Sequence, residues 1–238
     1  MTQPQAIIFD LDDTLIDDST SVEPSWRLVC LEVSQQVADI QPDTLYAAVT
    51  RVREAFWADP EQAQVGRRDI IAANNHIAYS ALISLGYDLP GCARFISERY
   101  RDVHTKTADI YPDVRASLDR LLSAGVKLAL ITNGHIASQR AKIEHFDLID
   151  YFERIEIGNE FSTDDSRSTY FQAVIPELMA TLNTTWVVSH NLDRDIRSAQ
   201  EAGLSGIWID RSRAGLPADT AVMPDRIIHS LTELLTTD

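Results

Sequence analysis

AIIFDLDDT, residues 6–14, decides how this chain is read. Ile7, Ile8 and Phe9 are consecutive apolar residues, the pattern of a strand buried on both faces. Asp10, Asp12 and Asp13 follow at its C-terminal end. In open α/β sheets that end is where ligands bind, because loops gather reactive groups over a rigid floor. Two carboxylates two residues apart can divide the work there: one attacks an electrophile or holds a metal, and the other gives and retakes a proton. The plainer alternative is a charged loop capping a strand. The rest of the chain discriminates between them.

The 238 residues are 45% hydrophobic and 24% charged, enough for a sizeable core in one large domain or two modest ones. A formal charge of -15, with no Lys/Arg cluster, predicts no nucleic-acid or acidic-membrane partner and leaves a small molecule as the expected one. Cys30 and Cys92 lack metal-type spacing, so both are expected as free thiols. With no basic-plus-apolar leader pattern and no apolar run near the ~18 residues of a membrane span, the expectation is a cytoplasmic protein. Oligomeric state is not legible.

After Thr14 the pattern is helical for about ninety residues. Segments start near Pro24 and at about Pro42, run over about Arg68 to Leu85, and run from Gly91 to Lys106. From Tyr111 strands and helices alternate, as in a parallel sheet. Strands are expected at Val126–Ile131, Ile155–Ile157, Trp186–Ser189 and Gly206–Ile209, with Ile227 and Ile228 as an edge candidate. Helices are expected from Pro112 to near Gly125, and over Ala137–Phe146, Ser168–Leu182 and Asp193–Ala202. The fold class is therefore α/β, a Rossmann-like parallel sheet with an inserted α-helical block. The domain limits are 1–16 and 109–238 for the core and 17–108 for the insert.

DLDDT after a buried strand resembles motif one of the haloacid dehalogenase superfamily, DxDxT in most of its phosphatases. The resemblance implies Asp10 as nucleophile, Asp12 as general acid and base, and Thr14 as a loop-fixing residue. It extends over nearly the whole chain, because members with a helical cap inserted after motif one share this discontinuous arrangement. It implies a five-stranded parallel core and a cap that screens water and chooses the substrate. LALITNG, residues 128–134, matches motif two, which places Thr132, Asn133 and Gly134 in phosphate-binding roles.

The remaining motifs depart from the family pattern. Motif four pairs two acids, and here SHNLDRD keeps only the second, Asp195. His190 stands where the first acid belongs and Ser189 replaces a glycine. The implied metal ligands are Asp10, Asp12 and Asp195 with His190. Mg²⁺ is implied by resemblance, an imidazole suits Mn²⁺ or Zn²⁺ better, and no metal at all stays open. Motif three requires a lysine, and the alignment puts Asp165 there. At about 5 Å and an effective dielectric near 20 one charge pair is worth about 3 kcal/mol, so replacing a cation by an anion swings roughly 7 kcal/mol. An inward Asp165 would then slow phosphatase chemistry by about five orders of magnitude. Arg167, or Lys142 or Arg140, could supply the cation instead, or Asp165 could face solvent.

Three functions stay in view. The first is a hydrolase of the phosphatase lineage acting on a small phosphorylated metabolite through Asp10 and Asp12. The second is a catalytically inactive pseudophosphatase that binds or regulates. The third is non-phosphate acid/base chemistry on the same scaffold using Asp10, Asp12 and His190. In the helical block, Trp26, Arg67, Arg68, Asn74, Asn75 and His76 are the polar and aromatic candidates for ligand contact.

Overall fold

A computed structural model describes residues 3–37, 39–158 and 167–235, and the side chains of residues 67 and 68 lie outside that description. Asp165 also lies outside the described residues, as do the side chains of Arg67 and Arg68. The strands are β1 (Ala6–Phe9), β2 (Ile16–Asp17), β3 (Asp109–Ile110), β4 (Lys127–Thr132), β5 (Arg154–Ile157), β6 (Thr185–Ser189), β7 (Ser205–Ile209) and β8 (Arg226–Ile228). The helices are α1 (Val22–Ser34), α2 (Pro42–Ala58), α3 (Pro60–Arg68), α4 (Ile70–Ser84), α5 (Pro90–Thr107), α6 (Val114–Ser123), α7 (Ile136–His145), α8 (Arg167–Val174) and α9 (Arg197–Glu201).

Six strands form one parallel sheet in the order β5-β4-β1-β6-β7-β8. The α/β expectation holds, with one strand more than the five that the resemblance implied. β8 had a weak signal because only Ile228 of its apolar pair is buried, while Ile227 stays 40% exposed. β1 is central: Phe9 stands in register with Leu130 of β4 and Val188 of β6. Neighbours on both edges and layers on both faces explain why all four β1 residues are fully buried. Ala6 and Ile8 share one face with Ala129, Ile131 and Val187, packed against Phe171 and Val174 of α8 and Ala199 of α9. Phe9, of opposite parity, meets Phe152 edge-on at 6.4 Å.

The chain divides into two compact units. The sheet unit comprises Met1–Asp17, Ile110–Asn133 and Phe146–Asp238; the helical unit comprises Asp18–Asp109 and Gly134–His145. The helical unit has its own core, in which Val29, Leu45, Val49, Ile77 and Ile96 surround Trp26 stacked on Tyr100 at 4.1 Å. Trp26 is therefore a packing residue at 1% exposure. Asn74 is buried and His76 exposed.

Two helices differ from the sequence pattern for local reasons. A separate α3 precedes α4: Asp59 accepts from the Glu61 and Gln62 N–H groups, Pro60 fills the first turn, and Asp69 then caps α4 through Ala72 N–H. α8 stops at Val174 rather than Leu182 because Pro176 has no N–H to donate and disfavours helical backbone at Ile175. Among the described residues no helix is long and apolar enough to cross a membrane. Cys30 and Cys92 are free thiols.

Candidate active site

The loop after β1 closes on itself. Thr14, Leu15 and Ile16 all donate backbone N–H groups to the Leu11 carbonyl, and Asp13 takes a left-handed conformation at φ 55°. Arg211 braces this loop from the far side. Its Nε and Nη2 donate to the Thr14 carbonyl at 3.2 and 2.7 Å, and its Nη1 meets both Asp113 oxygens at 2.9 and 2.8 Å. Asp113 also accepts from Ser230 Oγ and Leu231 N–H. Burial alone would raise its pKa, but Arg211 and Ser230 hold it below the usual carboxylate value.

Asp10 is thereby fixed just beyond the central strand, with its N–H donating to the Val188 carbonyl at 3.1 Å. Its side chain is only 4% exposed, yet its neighbours are polar rather than apolar. Oδ2 accepts from Thr14 Oγ1 at 3.2 Å and lies 3.3 Å from His190 Nδ1. Oδ1 lies 3.7 Å from Arg167 Nη2 and 3.7 Å from Arg194 Nη2. The side chains of His190 and Arg194 are 31% and 42% exposed, so they link buried Asp10 to solvent.

Asp195 is fully buried and its oxygens are in use. Ser189 Oγ donates at 2.6 Å, and Arg194 binds both oxygens through Nε and Nη2 at 3.0 and 3.1 Å. Arg167 Nε stands 3.0 Å away as an ion pair. Burial alone would push the Asp195 pKa up; Arg167, Arg194 and the Ser189 hydroxyl hold it below the ordinary value. The adjacent pair is presented by a π-helix at Leu192–Ile196, whose start Asn191 caps by accepting from Arg194 N–H.

His190 is anchored at both backbone ends. Its N–H donates to Thr14 Oγ1 at 3.1 Å and its carbonyl accepts from Trp208 Nε1 at 2.8 Å. Burial would lower the imidazole pKa, but the hydrogen bond and charge of Asp10 outweigh it and raise the pKa above 6.5. Arg167 Nη2 donates to the Ile131 carbonyl at 3.0 Å, while its buried Nη1 has no hydrogen-bond partner among the described residues.

Thr132 is 1% exposed at the end of β4, next to β1. Gly158 N–H donates to its carbonyl at 2.8 Å. A Cβ at Gly158 would lie 2.4 Å from Asn133 Oδ1, so the absence of a side chain there lets Asn133 keep its present rotamer. Gly134 takes φ +127° and is counted in the helical unit with its neighbour Gln139.

A model of haloacid dehalogenase-like hydrolases matches residues 4–203. The chain belongs to that family. It is 24% identical to the pyrimidine 5'-nucleotidase PynA of Streptococcus pneumoniae, over 96% of this chain and 92% of that protein. It is 26% identical to the mouse N-acylneuraminate-9-phosphatase, over 98% and 93%. The solved structure of YfnB from Bacillus subtilis, bound to magnesium, shares the fold at a TM-score of 0.73 and 19% identity, over 98% and 97%.

Phosphatases of this haloacid dehalogenase-like family generally use Mg²⁺. The residues present do not fit that ion. The expected set was Asp10, Asp12, Asp195 and His190, but Asp195 spends its oxygens on Ser189, Arg194 and Arg167. Asp10 Oδ1 already faces two guanidiniums, and Oδ2 faces the Thr14 hydroxyl and the His190 imidazole. Among the described residues no group of three or more His, Cys, Asp or Glu side chains is disposed to hold a metal. At about 5 Å and an effective dielectric near 20 a dication is repelled by one guanidinium by roughly 7 kcal/mol, so the two guanidiniums that reach Asp10 and Asp195 offset the attraction of those two carboxylates.

Sequence patterns had not marked Arg194 or Arg211. Arg194 could have been found as the residue beside the sole surviving acid of motif four. Arg211 carries no local signal, because its partners are 98 and 197 residues away. Of the other candidate cations, Lys142 is paired with Asp18 at 2.6 Å within the helical unit.

Proposed function

We propose that this haloacid dehalogenase-like hydrolase cleaves the phosphomonoester of a small metabolite. Asp10 attacks phosphorus and the bond to the leaving oxygen breaks as Asp12 protonates it. Asp12, now a base, takes a proton from water, which attacks the aspartyl-phosphate and returns free Asp10 and inorganic phosphate. Thr132 and Asn133 are assigned to the phosphoryl oxygens, and Arg167 to the motif-three cation. Residues 17–108 are assigned to substrate selection as a cap, beside core residues 1–16 and 109–238.

The observation that carries this reading is the position of Asp10, held at the C-terminal end of the central strand within reach of two guanidiniums and an imidazole. The phosphatase relatives, similar over nearly the full length, support it. The test is a panel of p-nitrophenyl phosphate, sugar phosphates and nucleoside monophosphates, run with chelator and with Mg²⁺. Turnover is expected, with Asp10→Asn lowering it by about three orders of magnitude or more. No turnover anywhere on the panel sinks the proposal.

The 4% exposure of Asp10 favours a second reading, a protein that binds phosphate esters without cleaving them. Saturable ligand binding without product over long incubation would select it.

A further inference from the structure

Five charged or chargeable groups meet at the end of β1 and β6: Asp10, Asp195, Arg167, Arg194 and His190. Two carboxylates face two guanidiniums, so these four cancel. Asp12 and Asp13 of the same loop add negative charge that acts on Arg194 and His190. The cluster spends the oxygens of Asp10 and Asp195 on these partners and on the Thr14 and Ser189 hydroxyls rather than leaving them open to a cation. It does have donors left over. Buried Arg167 Nη1 has no hydrogen-bond partner among the described residues, and Arg194 keeps a 42% exposed side chain. An unmade hydrogen bond on a buried guanidinium is costly, and an oxyanion is the group that satisfies it.

We propose that Arg167, Arg194 and His190 form a built-in cationic seat for a phosphate-like oxyanion, which therefore binds without a divalent metal ion. Arg167 offers Nη1, set in place by the Nη2 bond to Ile131, and Arg194 keeps a part-exposed guanidinium. His190 is locked through Thr14 and Trp208. The fixed charges do the screening that a mobile dication does in the relatives' family. The choice of phosphate as the oxyanion rests on the phosphomonoester reading above.

The test uses the full-length wild-type protein stripped with chelator. Calorimetric titration with orthovanadate or inorganic phosphate is expected to give saturable binding. Its Kd should agree within about threefold with chelator and with Mg²⁺ present. In parallel, the Mn²⁺ paramagnetic resonance signal of free ion should be unchanged when protein is added. Arg194→Gln, with its fold checked by circular dichroism because Asp195 loses a partner, should weaken oxyanion binding by about tenfold or more, the scale of a lost charge-assisted hydrogen bond.

Absence of binding in chelator overturns the proposal, whether or not Mg²⁺ restores it. Stoichiometric uptake of Mn²⁺, or an Arg194→Gln protein that binds as tightly as wild type, overturns it too. Because binding is read without turnover, the two readings fail separately. A protein that binds vanadate in chelator yet cleaves no ester refutes hydrolysis and keeps the seat. One that cleaves esters but binds the oxyanion only with Mg²⁺ does the reverse.

Discussion

Replacing Arg167 by methionine removes the one buried cation shared by both carboxylates of the cluster. It stands 3.0 Å from Asp195 and 3.7 Å from Asp10, and its side chain is 7% exposed, so water cannot substitute for it freely. Breaking a buried pair typically costs about 3–5 kcal/mol, because the abandoned charge stays buried. Arg194 still binds both oxygens of Asp195, which puts the expected loss near the lower end, about 3 kcal/mol. For a chain of this size that corresponds to a fall in Tm of roughly 6–12 °C at pH 7, measured by circular dichroism. The pH dependence has a definite sign. Asp195 is held below its ordinary value of 3.8, so its pairing stabilises the fold above that pH and is lost as pH falls through the folded-state value. The gap between wild type and variant must therefore narrow in acid. A fall of less than about 2 °C at pH 7, or a gap as wide in acid as at neutrality, would show that Arg167 does not bear on these carboxylates.

Three further outcomes test other parts of the site. His190 should titrate above 6.5 by NMR, and Asp10→Asn should bring it down, since the hydrogen bond and charge of Asp10 are what raise it. Its pairing stabilises the fold fully below pH 6.5 and is lost as pH rises through the folded-state value; a midpoint at or below 6.5 in wild type contradicts the geometry. Gly158→Ala puts a methyl group 2.4 Å from Asn133 Oδ1 and turns that side chain away, so weakened vanadate binding is expected with a loss of at most about 1 kcal/mol in denaturant unfolding; unchanged vanadate binding would mean that the Asn133 side chain does not bear on the oxyanion. Combining His190→Asp with Arg194→Asn adds a carboxylate and removes a guanidinium, and the variant should take up Mn²⁺ that wild type ignores; failure to bind at about millimolar Mn²⁺ would count against charge as the reason the ion is refused.

The sheet was legible because β1, β4 and β6 are buried on both faces and so lack polar alternation, and because Gly and Pro punctuate the segments between them. β8 was only half legible, since one of its two isoleucines faces solvent. α3 was missed although Asp59-Pro60 is a recognisable helix start. The acid at the strand end was legible from DLDDT alone. The cations around it were not, because Arg167, Arg194 and His190 lie 157 or more residues downstream and are brought to Asp10 by the parallel sheet order. A sequence pattern records which residues are present in each loop. It does not record that the ends of β1 and β6 are neighbours.

That adjacency explains why two apparent losses in the motifs are better understood as one exchange. Taken singly, His190 in place of an acid removes a metal ligand, and the displaced motif-three lysine removes a cation. Taken together with Arg194 and Arg167, they leave Asp10 and Asp195 matched by two guanidiniums without any added ion. The resemblance implies that the family pattern reaches such a balance from the other direction, with three acids and one lysine offset by a dication. Restoring only the acid at His190 would leave Arg167 and Arg194 opposing the ion, and removing only Arg194 would leave Asp195 short of a partner in a site where no water replaces it easily. Each half-step is worse than either end. The positions are therefore coupled through charge, and their single-site effects on oxyanion and metal binding should depart from additivity, as expected for groups in contact within one ion-pair network.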